Sequence, residues 1–205
     1  CQTTEKDIRE ICGEDREELT TVFQFEHFKI GRDGRWLKRE FAFDDVKNVL
    51  SKWQNFSAKN GLLYTLFTDN HDQPYYISRA GNDGDLRYEC ATMYAAMFYL
   101  LKGIPFIYQG QEFGSASPAY ASIADYNDIE TLNYYKEQEV SRQYPRYEVM
   151  KQIHFGSRDN TRRPVAWSAN RETGYGFGSV KTWLPLNSRA AEINLENDRK
   201  SKKSV

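Results

Sequence analysis

A cluster of polar residues, Asn70-His71-Asp72-Gln73, follows an apolar, aromatic run over residues 62–67. The run has the length of a buried strand, and Pro74, which lacks a backbone N–H, ends any regular ladder of hydrogen bonds. Barrels of alternating strands and helices build their active sites from side chains at the C-terminal ends of such strands. An ordinary polar turn also uses Asn, Asp and Pro. The spacing therefore supports two interpretations, a functional cluster and a turn.

Regular elements on both sides of this cluster indicate how it is held. Strand-like runs at 20–25, 62–67 and 104–108 alternate with helical patterns at 44–60 and 86–102. The apolar residues of the helical patterns recur at i, i+3, i+4 and i+7, which places them on one face. The order strand, helix, strand, helix, strand is typical of right-handed βαβ units. We therefore predict an α/β fold with a parallel sheet.

Other parts of the chain give local predictions. Asp44 or Asp45 is expected to cap the helix that precedes Gly61, and Asn194 or Asn197 a helix in the tail. A short helix is predicted within 3–13, with Thr4 and Asp7 as a capping pair and Gly13 as the stop signal, and another helix at 128–138. Residues 29–40 are predicted to form a loop, and residues 151–186 show no clear period.

The composition excludes several classes of protein. The 205 residues include 28 Lys and Arg and 29 Asp and Glu, for a net charge of −1, which does not suit a nucleic-acid partner. Cys1, Cys12 and Cys90 are irregularly spaced and form no C-x-x-C pair, so neither a zinc site nor a disulfide framework is predicted, and a cytoplasmic location fits. No apolar run approaches the roughly 18 to 20 residues that span a membrane.

Four stretches of the chain carry motifs that can be compared with known families. They are residues 70–74, 103–114, 123–133 and 158–167. In this order and at this spacing they resemble glycoside hydrolase family 13, the α-amylase superfamily, and more narrowly its oligo-1,6-glucosidase and α-glucosidase branch. The second is similar to G-T-P-Y-I-Y-Q-G-E-E-I-G, the third to I-x-D-Y-R-D-I-E-T-L-N and the last to R-D-N-A-R-T-P-M-Q-W. Four ordered matches are more specific than any one of them.

The resemblance implies an α/β fold that is part of a (β/α)8 TIM barrel. Strands six, seven and eight of the barrel would lie near Val22, Leu66 and Ile107, each strand with its helix. The irregular stretch 151–186 would be the insertion after strand eight that lines the mouth of the site. Residues 1–205 would then be the C-terminal portion of a glycosidase catalytic domain, truncated at both ends.

The resemblance also implies a chemistry. Retaining glycosidases use a carboxylate nucleophile and a carboxyl acid/base that lie about 5 to 5.5 Å apart. In the family these groups follow strands four and five, so neither is assigned to this chain. Asp72 matches the third family carboxylate, which binds sugar hydroxyls and favours the oxocarbenium-like transition state. His71 matches a histidine that donates to sugar hydroxyls, and its alternative is a turn or capping histidine.

Several other residues could also contribute to the site. Arg162 matches a family arginine that holds the non-reducing glucose; its alternative is a structural salt bridge within the cluster of Arg158, Asp159, Arg162 and Arg163. Glu112 has no catalytic counterpart and is expected to support its neighbours. Glu26 and His27 end another predicted strand and are weaker candidates for contact with substrate.

Two positions depart from the family pattern. Tyr75 stands where the family commonly has Arg, and Gln111 stands where it has Glu. Both are expected near the pocket, so the usual substrate preference does not transfer directly.

Together these features predict a fragment of a retaining α-glucosidase that hydrolyses terminal α-glucosidic bonds of short oligosaccharides. The fragment alone is expected to be inactive, without a cofactor or metal, and without a nucleic-acid or membrane partner. One alternative is glucosyl transfer of the sucrose isomerase or trehalose synthase type. Another is a non-catalytic, glucosidase-like ectodomain of a transporter heavy chain, which the intact polar cluster argues against.

Overall fold

The computed structural model describes residues 4–12, 18–178 and 181–205. Its helices are α1 (Glu5–Ile11), α2 (Phe43–Asn60), α3 (Tyr76–Ala80), α4 (Arg87–Tyr99), α5 (Ile129–Ser141), α6 (Arg146–Gly156) and α7 (Leu195–Lys200). Its strands are β1 (Arg32–Asp33), β2 (Leu37–Lys38), β3 (Thr65–Leu66) and β4 (Ile104–Pro105). Short 3-10 turns lie at Glu26–Lys29, Gln111–Phe113, Ile123–Asp125, Arg158–Asn160 and Arg171–Gly176.

The predicted parallel pairing is present between β3 and β4, which are connected through α3 and α4. Thr65 lies opposite Ile104, and Leu66 lies opposite Pro105. The ladder is shorter than the sequence predicts. Pro105 has no N–H to donate, and the bond from the Phe106 amide to the Leu66 carbonyl, at 2.8 Å, is the last of the pairing. The chain is thus free to turn at the point where the polar cluster follows β3.

The strand predicted at 20–25 is not formed. The Val22 carbonyl accepts hydrogen bonds from the Thr65 amide at 3.5 Å and from the Thr65 hydroxyl at 3.3 Å, and no further bond to β3 follows along the segment. Bonds to a single residue do not make a ladder. The segment therefore lies beside β3 at Val22 without forming a strand, and it then enters the turn Glu26–Lys29.

The predicted helices are confirmed, with one correction to a cap. Thr4 and Asp7 form the expected capping box of α1, while Gly13 lies outside the described residues. Neither Asp44 nor Asp45 is the cap of α2: the cap is Ala42, whose amide donates to the Asp45 carboxylate at 2.8 Å. The reason is that α2 begins one residue before the predicted cap, which puts Asp45 at the third helical position.

The later helices also begin at polar caps, of which the sequence predicts the one in the tail. Asp128 caps α5 by accepting from the Thr131 amide at 3.0 Å. Asn194 caps α7 by accepting from the Asn197 amide at 2.9 Å. Each side chain satisfies a backbone donor that has no partner inside its helix.

The predicted loop at 29–40 contains a hairpin, which was not expected. Strands β1 and β2 pair antiparallel, with Arg32 opposite Lys38. The hairpin packs against helix α5 through Trp36, whose ring stacks on that of Tyr134 at 4.4 Å and 11°. The stretch 151–186 is also more regular at its start than predicted, because α6 continues to Gly156.

Helix α2 lies between two hydrophobic clusters. Its Trp53 and Phe56 pack with α1 and with Leu62 and Leu66 around β3. Its Val46 and Leu50 pack with Tyr76 and Phe98 of α3 and α4. A separate cluster joins α5 and α6, with Tyr135, Val149 and the fully buried Ile153 at its centre. Helices α1 and α2 thus pack against β3, and the α5–α6 pair forms a separate hydrophobic cluster.

Replacing Gly156 with alanine should destabilise the protein by about 1 to 3 kcal/mol, the usual cost of overpacking. A Cβ at this position would lie 2.6 Å from the Arg35 carbonyl oxygen and 2.6 Å from the Trp36 ring. Alanine would gain about 0.5 to 1 kcal/mol of helix propensity, which is too little to offset the overlap. The matched control is Gly84→Ala, where a Cβ meets only the Asn82 side chain at 3.3 Å. Denaturant unfolding would contradict the prediction if both variants matched the wild type.

Candidate active site

The turn that follows β3 is held in place by the buried carboxylate of Asp69. One carboxylate oxygen of Asp69 accepts from the Tyr76 amide at 2.5 Å, and the other accepts from the Thr68 hydroxyl at 2.7 Å. The Asp72 amide donates to the Asn70 side chain at 2.9 Å inside the turn. Asp69 therefore closes the nine-residue connection (67–75) between β3 and α3, in which the side chains of His71 and Asp72 are accessible to solvent.

A second segment, residues 157–163, lies against this turn and is called the arginine segment below. The Thr161 hydroxyl lies 2.8 Å from the Gln73 carbonyl oxygen and 3.1 Å from that of Asn70. Asp159 is fully buried, and its carboxylate accepts from the amides of Asn127 and Asp128 at 2.6 and 2.8 Å. These bonds connect the arginine segment to the turn on one side and to the start of α5 on the other.

The three residues predicted to form the site are brought together. A terminal nitrogen of Arg162 lies 2.8 Å from Oδ1 of Asp72, and its Nε donates to the His71 carbonyl at 2.7 Å. Nε2 of His71 lies 3.3 Å from Oδ2 of Asp72. Arg162 therefore pairs with Asp72, whereas the Asp159 carboxylate is engaged by backbone amides.

A second arginine, which the sequence analysis missed as a site residue, also faces Asp72. Arg158 lies 3.5 Å from Oδ1 of Asp72, 3.2 Å from Asp128, and in a close ion pair with Glu130. Burial lowers the pKa of Arg158, but the nearby carboxylates of Asp128 and Glu130 outweigh this and raise it. Arg158 thus stays charged and joins the site to α5.

The site is accessible to solvent. The side chain of His71 is 67% exposed, that of Asp72 is 43% exposed and that of Arg162 is 24% exposed. One oxygen of Asp72 is held by Arg162, while the other points toward the exposed imidazole. The pair can accept from and donate to neighbouring hydroxyl groups of a bound molecule, since a carboxylate accepts and a ring N–H donates.

Other residues considered from the sequence lie elsewhere. His27 is buried and bonded to Gln24 and to the Phe67 carbonyl, so it is structural. Glu26 pairs with Lys52 at 2.9 Å and accepts from Trp53 at 2.8 Å. Glu112 is exposed on the turn after β4. None of these three contacts the cluster of His71, Asp72 and Arg162 through a hydrogen bond among the described residues.

The two departures from the family pattern have structural roles. Burial raises the pKa of Tyr75 well above its usual range, and its hydroxyl donates to the Gln109 carbonyl at 3.0 Å. Gln111 donates to the Thr68 hydroxyl at 2.5 Å, and this hydroxyl in turn donates to Asp69. An amide at this position avoids placing a second carboxylate beside buried Asp69.

Within residues 4–12, 18–178 and 181–205, no group of three or more His, Cys, Asp or Glu side chains is placed to hold a metal ion. The helices of the same residues include none with the length and apolar character to cross a membrane.

Comparisons with known proteins agree with the motifs. The family model described as "Alpha amylase, catalytic domain" matches residues 1–205. An oligo-1,6-glucosidase of Bacillus cereus is 38% identical over 204 residues, which are 98% of this chain and 36% of that protein. An alpha-glucosidase of Pediococcus pentosaceus is 34% identical over 93% of this chain and 35% of its own length. The chain thus spans about a third of the length of the curated relatives it matches.

Solved structures give the same relationship. A trehalose-6-phosphate hydrolase of Bacillus licheniformis superposes with a TM-score of 0.92 at 35% identity, over 100% of this chain and 37% of that one. An isomaltulose synthase of Erwinia rhapontici superposes with a TM-score of 0.85 at 26% identity, over 98% of this chain and 36% of that one.

Proposed function

Because this chain belongs to the alpha-amylase catalytic domain family, we propose that it forms part of a retaining α-glucosidase acting on terminal α-glucosidic bonds of short oligosaccharides. The observation that carries the proposal is the exposed carboxylate of Asp72, held by Arg162 beside His71. The distances are 2.8 Å to the arginine and 3.3 Å to the imidazole.

We further propose that residues 1–205 are the C-terminal portion of a (β/α)8 catalytic domain. Segment 20–25, β3 and β4 would correspond to barrel strands six, seven and eight. The parallel pairing of β3 with β4 through intervening helices supports this assignment. So do the rings of Phe23, Phe25 and Phe106, which contact one another or Phe67 yet remain 43 to 49% exposed, as expected of a face that the rest of a barrel would cover.

Under this proposal Asp72 assists the reaction without attacking the sugar. The nucleophile and the acid/base belong to other parts of the intact enzyme. Oδ2 of Asp72, which is not held by Arg162, would accept hydrogen bonds from sugar hydroxyls. Its negative charge favours the positive charge that develops on the ring in the transition state.

His71 and Arg162 complete the sugar-binding side of the site. His71 would donate from its imidazole to a hydroxyl next to the one that Asp72 accepts. Arg162 would hold the non-reducing glucose and close the end of the pocket, which suits an enzyme that removes terminal units. Its guanidinium has the planar fork of donors that fits such contacts.

Glucosyl transfer to a sugar is the second candidate function. The similarity to isomaltulose synthase, with a TM-score of 0.85, is the observation in its favour. Both reactions would use the same covalent intermediate and differ in whether water or a sugar takes up the glucosyl unit. We also propose a cytoplasmic location and a small oligosaccharide as the substrate, with no nucleic-acid partner. The thiols of Cys12 and Cys90, which form no disulfide within the described residues, support the location.

The full-length gene product should release glucose from p-nitrophenyl α-glucoside, maltose or isomaltose, and the first product should be the α-anomer, because double displacement retains configuration. Sucrose and trehalose 6-phosphate complete the substrate panel. NMR of the fresh product distinguishes the anomers. Initial β-glucose would contradict the retaining mechanism, isomerised sucrose would favour transfer, and no turnover on any substrate would favour the non-catalytic alternative.

A further inference from the structure

We propose that Arg35, at the tip of the hairpin β1–β2, is a positioning residue that holds Asp72 in its working orientation. The proposal rests on the proposed function, since it assigns a role within the same site. Arg35 belongs to none of the motifs that indicate the family, and its role follows from the contacts of the hairpin.

The hairpin is anchored beside the site at two points. Arg32 donates to the side chain of Gln73 at 2.6 Å, directly after Asp72. Trp36 stacks on Tyr134 of α5. Arg35 lies between these two anchors, so its backbone is fixed on both sides.

The guanidinium of Arg35 connects three separate parts of the chain. One terminal nitrogen lies 3.3 Å from the Asp72 carbonyl oxygen and 3.3 Å from the Gly156 carbonyl oxygen at the end of α6. Nε lies 2.9 Å from the Glu130 carboxylate in the first turn of α5. The side chain is only 20% exposed, so these contacts are partly shielded from water.

These contacts close a ring around Asp72. Glu130 pairs with both Arg35 and Arg158, and Arg158 reaches the Asp72 carboxylate at 3.5 Å. Arg35 therefore restrains Asp72 in two ways, directly at the backbone and indirectly at the carboxylate through Glu130 and Arg158. The rigid fork of a guanidinium can bind several acceptors at once, whereas a lysine ammonium is a single point charge.

Kinetics of the full-length gene product test the proposal. Arg35→Gln should lower kcat by about 10- to 100-fold, the scale expected for misplacing a catalytic group by about 1 Å. KM should change less than about threefold, since the proposed role of Arg35 is to position Asp72 and not to bind the sugar. Arg35→Lys should recover only part of the loss. Arg39→Gln is the matched control, because Arg39 lies on the same segment and its exposed side chain forms no ion pair within the described residues.

A second measurement does not depend on activity. The ring resonances of His71 can be identified in NMR spectra of the full-length gene product, because they disappear in a His71→Gln variant. Because His71 lies 3.3 Å from the Asp72 carboxylate, Arg35→Gln should shift these resonances and Arg39→Gln should not. Glu130→Gln breaks the same ring from α5 and should shift them in the same way, which covers the case in which Arg35→Gln fails to fold.

The outcomes separate the two proposals. An active wild type with unchanged kcat and unchanged His71 resonances in Arg35→Gln would overturn the role of Arg35 and leave the glucosidase proposal intact. A wild type without turnover would overturn the glucosidase proposal, and the NMR shifts would then decide whether Arg35 positions Asp72.

Discussion

Replacing Asp72 with asparagine should lower kcat/KM of the full-length enzyme by about a thousandfold or more, which corresponds to about 4 kcal/mol of transition-state stabilisation. Asparagine keeps the shape of the side chain and removes its charge. The developing positive charge on the sugar would lose its nearest counter-charge in this part of the site. Arg162, which lies 2.8 Å from Oδ1 in the wild type, would face a neutral amide.

The same substitution should change stability only slightly, because Asp72 is 43% exposed and exposed ion pairs contribute about 0 to 1 kcal/mol. Asp85→Asn is the matched control, since Asp85 is exposed and forms no ion pair within the described residues. Steady-state kinetics and thermal unfolding are measured on both variants. Asp72→Asn with the activity of Asp85→Asn would show that Asp72 is a turn residue.

The stability advantage of the wild type over a His27→Gln variant should shrink by about 3 kcal/mol as the pH is lowered from 7 to 4, because one pKa unit corresponds to about 1.4 kcal/mol. Burial, and then the charge of Arg79, lowers the pKa of His27 to about 3, although the bond to Phe67 opposes this. In the unfolded chain the pKa is about 6.5. Between these two pH values only the unfolded state binds the proton, so the free energy of unfolding decreases as the pH is lowered.

The hydrogen bonds of His27 explain why its folded form must be neutral. Nε2 lies 2.8 Å from the Phe67 carbonyl, which can only accept, so this nitrogen carries the proton. Nδ1 lies 3.0 Å from the Gln24 amide nitrogen, which can only donate. Gln24 cannot turn its amide over without losing the bond from the Glu26 amide to its oxygen, at 3.0 Å. A second proton on the ring would face a donor inside the core.

Asp69 changes the pH dependence of stability in the opposite direction to His27. The wild type is therefore compared with His27→Gln and not measured alone. Burial raises the pKa of Asp69 to about 6, against the bonds from Thr68 and Tyr76. The folded state therefore binds a proton before the unfolded state does, and this contribution to stability grows as the pH falls from about 6 to 4. The wild type and His27→Gln share Asp69, so subtraction removes its effect.

Denaturant unfolding at several pH values between 4 and 7 provides the measurement. His71→Gln is the control for removing a histidine, since His71 is 67% exposed. A constant difference between wild type and His27→Gln across this range would mean that His27 takes up its proton in the folded protein, contrary to the bonding around it.

The sequence predicts best where one side chain decides the local structure. Thr4 and Asn194 each satisfy a free amide at the start of a helix, and both caps are where the sequence places them. The joining of Asp72, His71 and Arg162 also follows the motifs. The two segments are about 90 residues apart in sequence, so composition and periodicity alone give no indication of their contact.

The sequence fails where the outcome depends on distant partners. Residues 20–25 have the composition of a strand, yet strand formation needs a repeated ladder. Of this segment only Val22 is bonded to β3, through the amide and the hydroxyl of Thr65. Arg35 and Glu130 look like ordinary surface charges in the sequence. They become part of the site only because Trp36 packs on Tyr134 and brings the hairpin to the start of α5. The roles of Asp72, His71 and Arg162 in catalysis remain predictions.

The bonds between Thr161 and the turn after β3 have a consequence for protein engineering. The Thr161 hydroxyl lies 2.8 Å and 3.1 Å from two carbonyl oxygens of that turn. Arg162 forms an ion pair with the carboxylate of Asp72 in the same turn. Residues 69–76 and 157–163 thus form one structural unit made of two chain segments. Loop exchange between homologues should transfer both segments together. A chimera that takes one segment alone would place Asp72 and Arg162 on segments from different proteins, whose lengths and hydrogen bonds are not matched to each other.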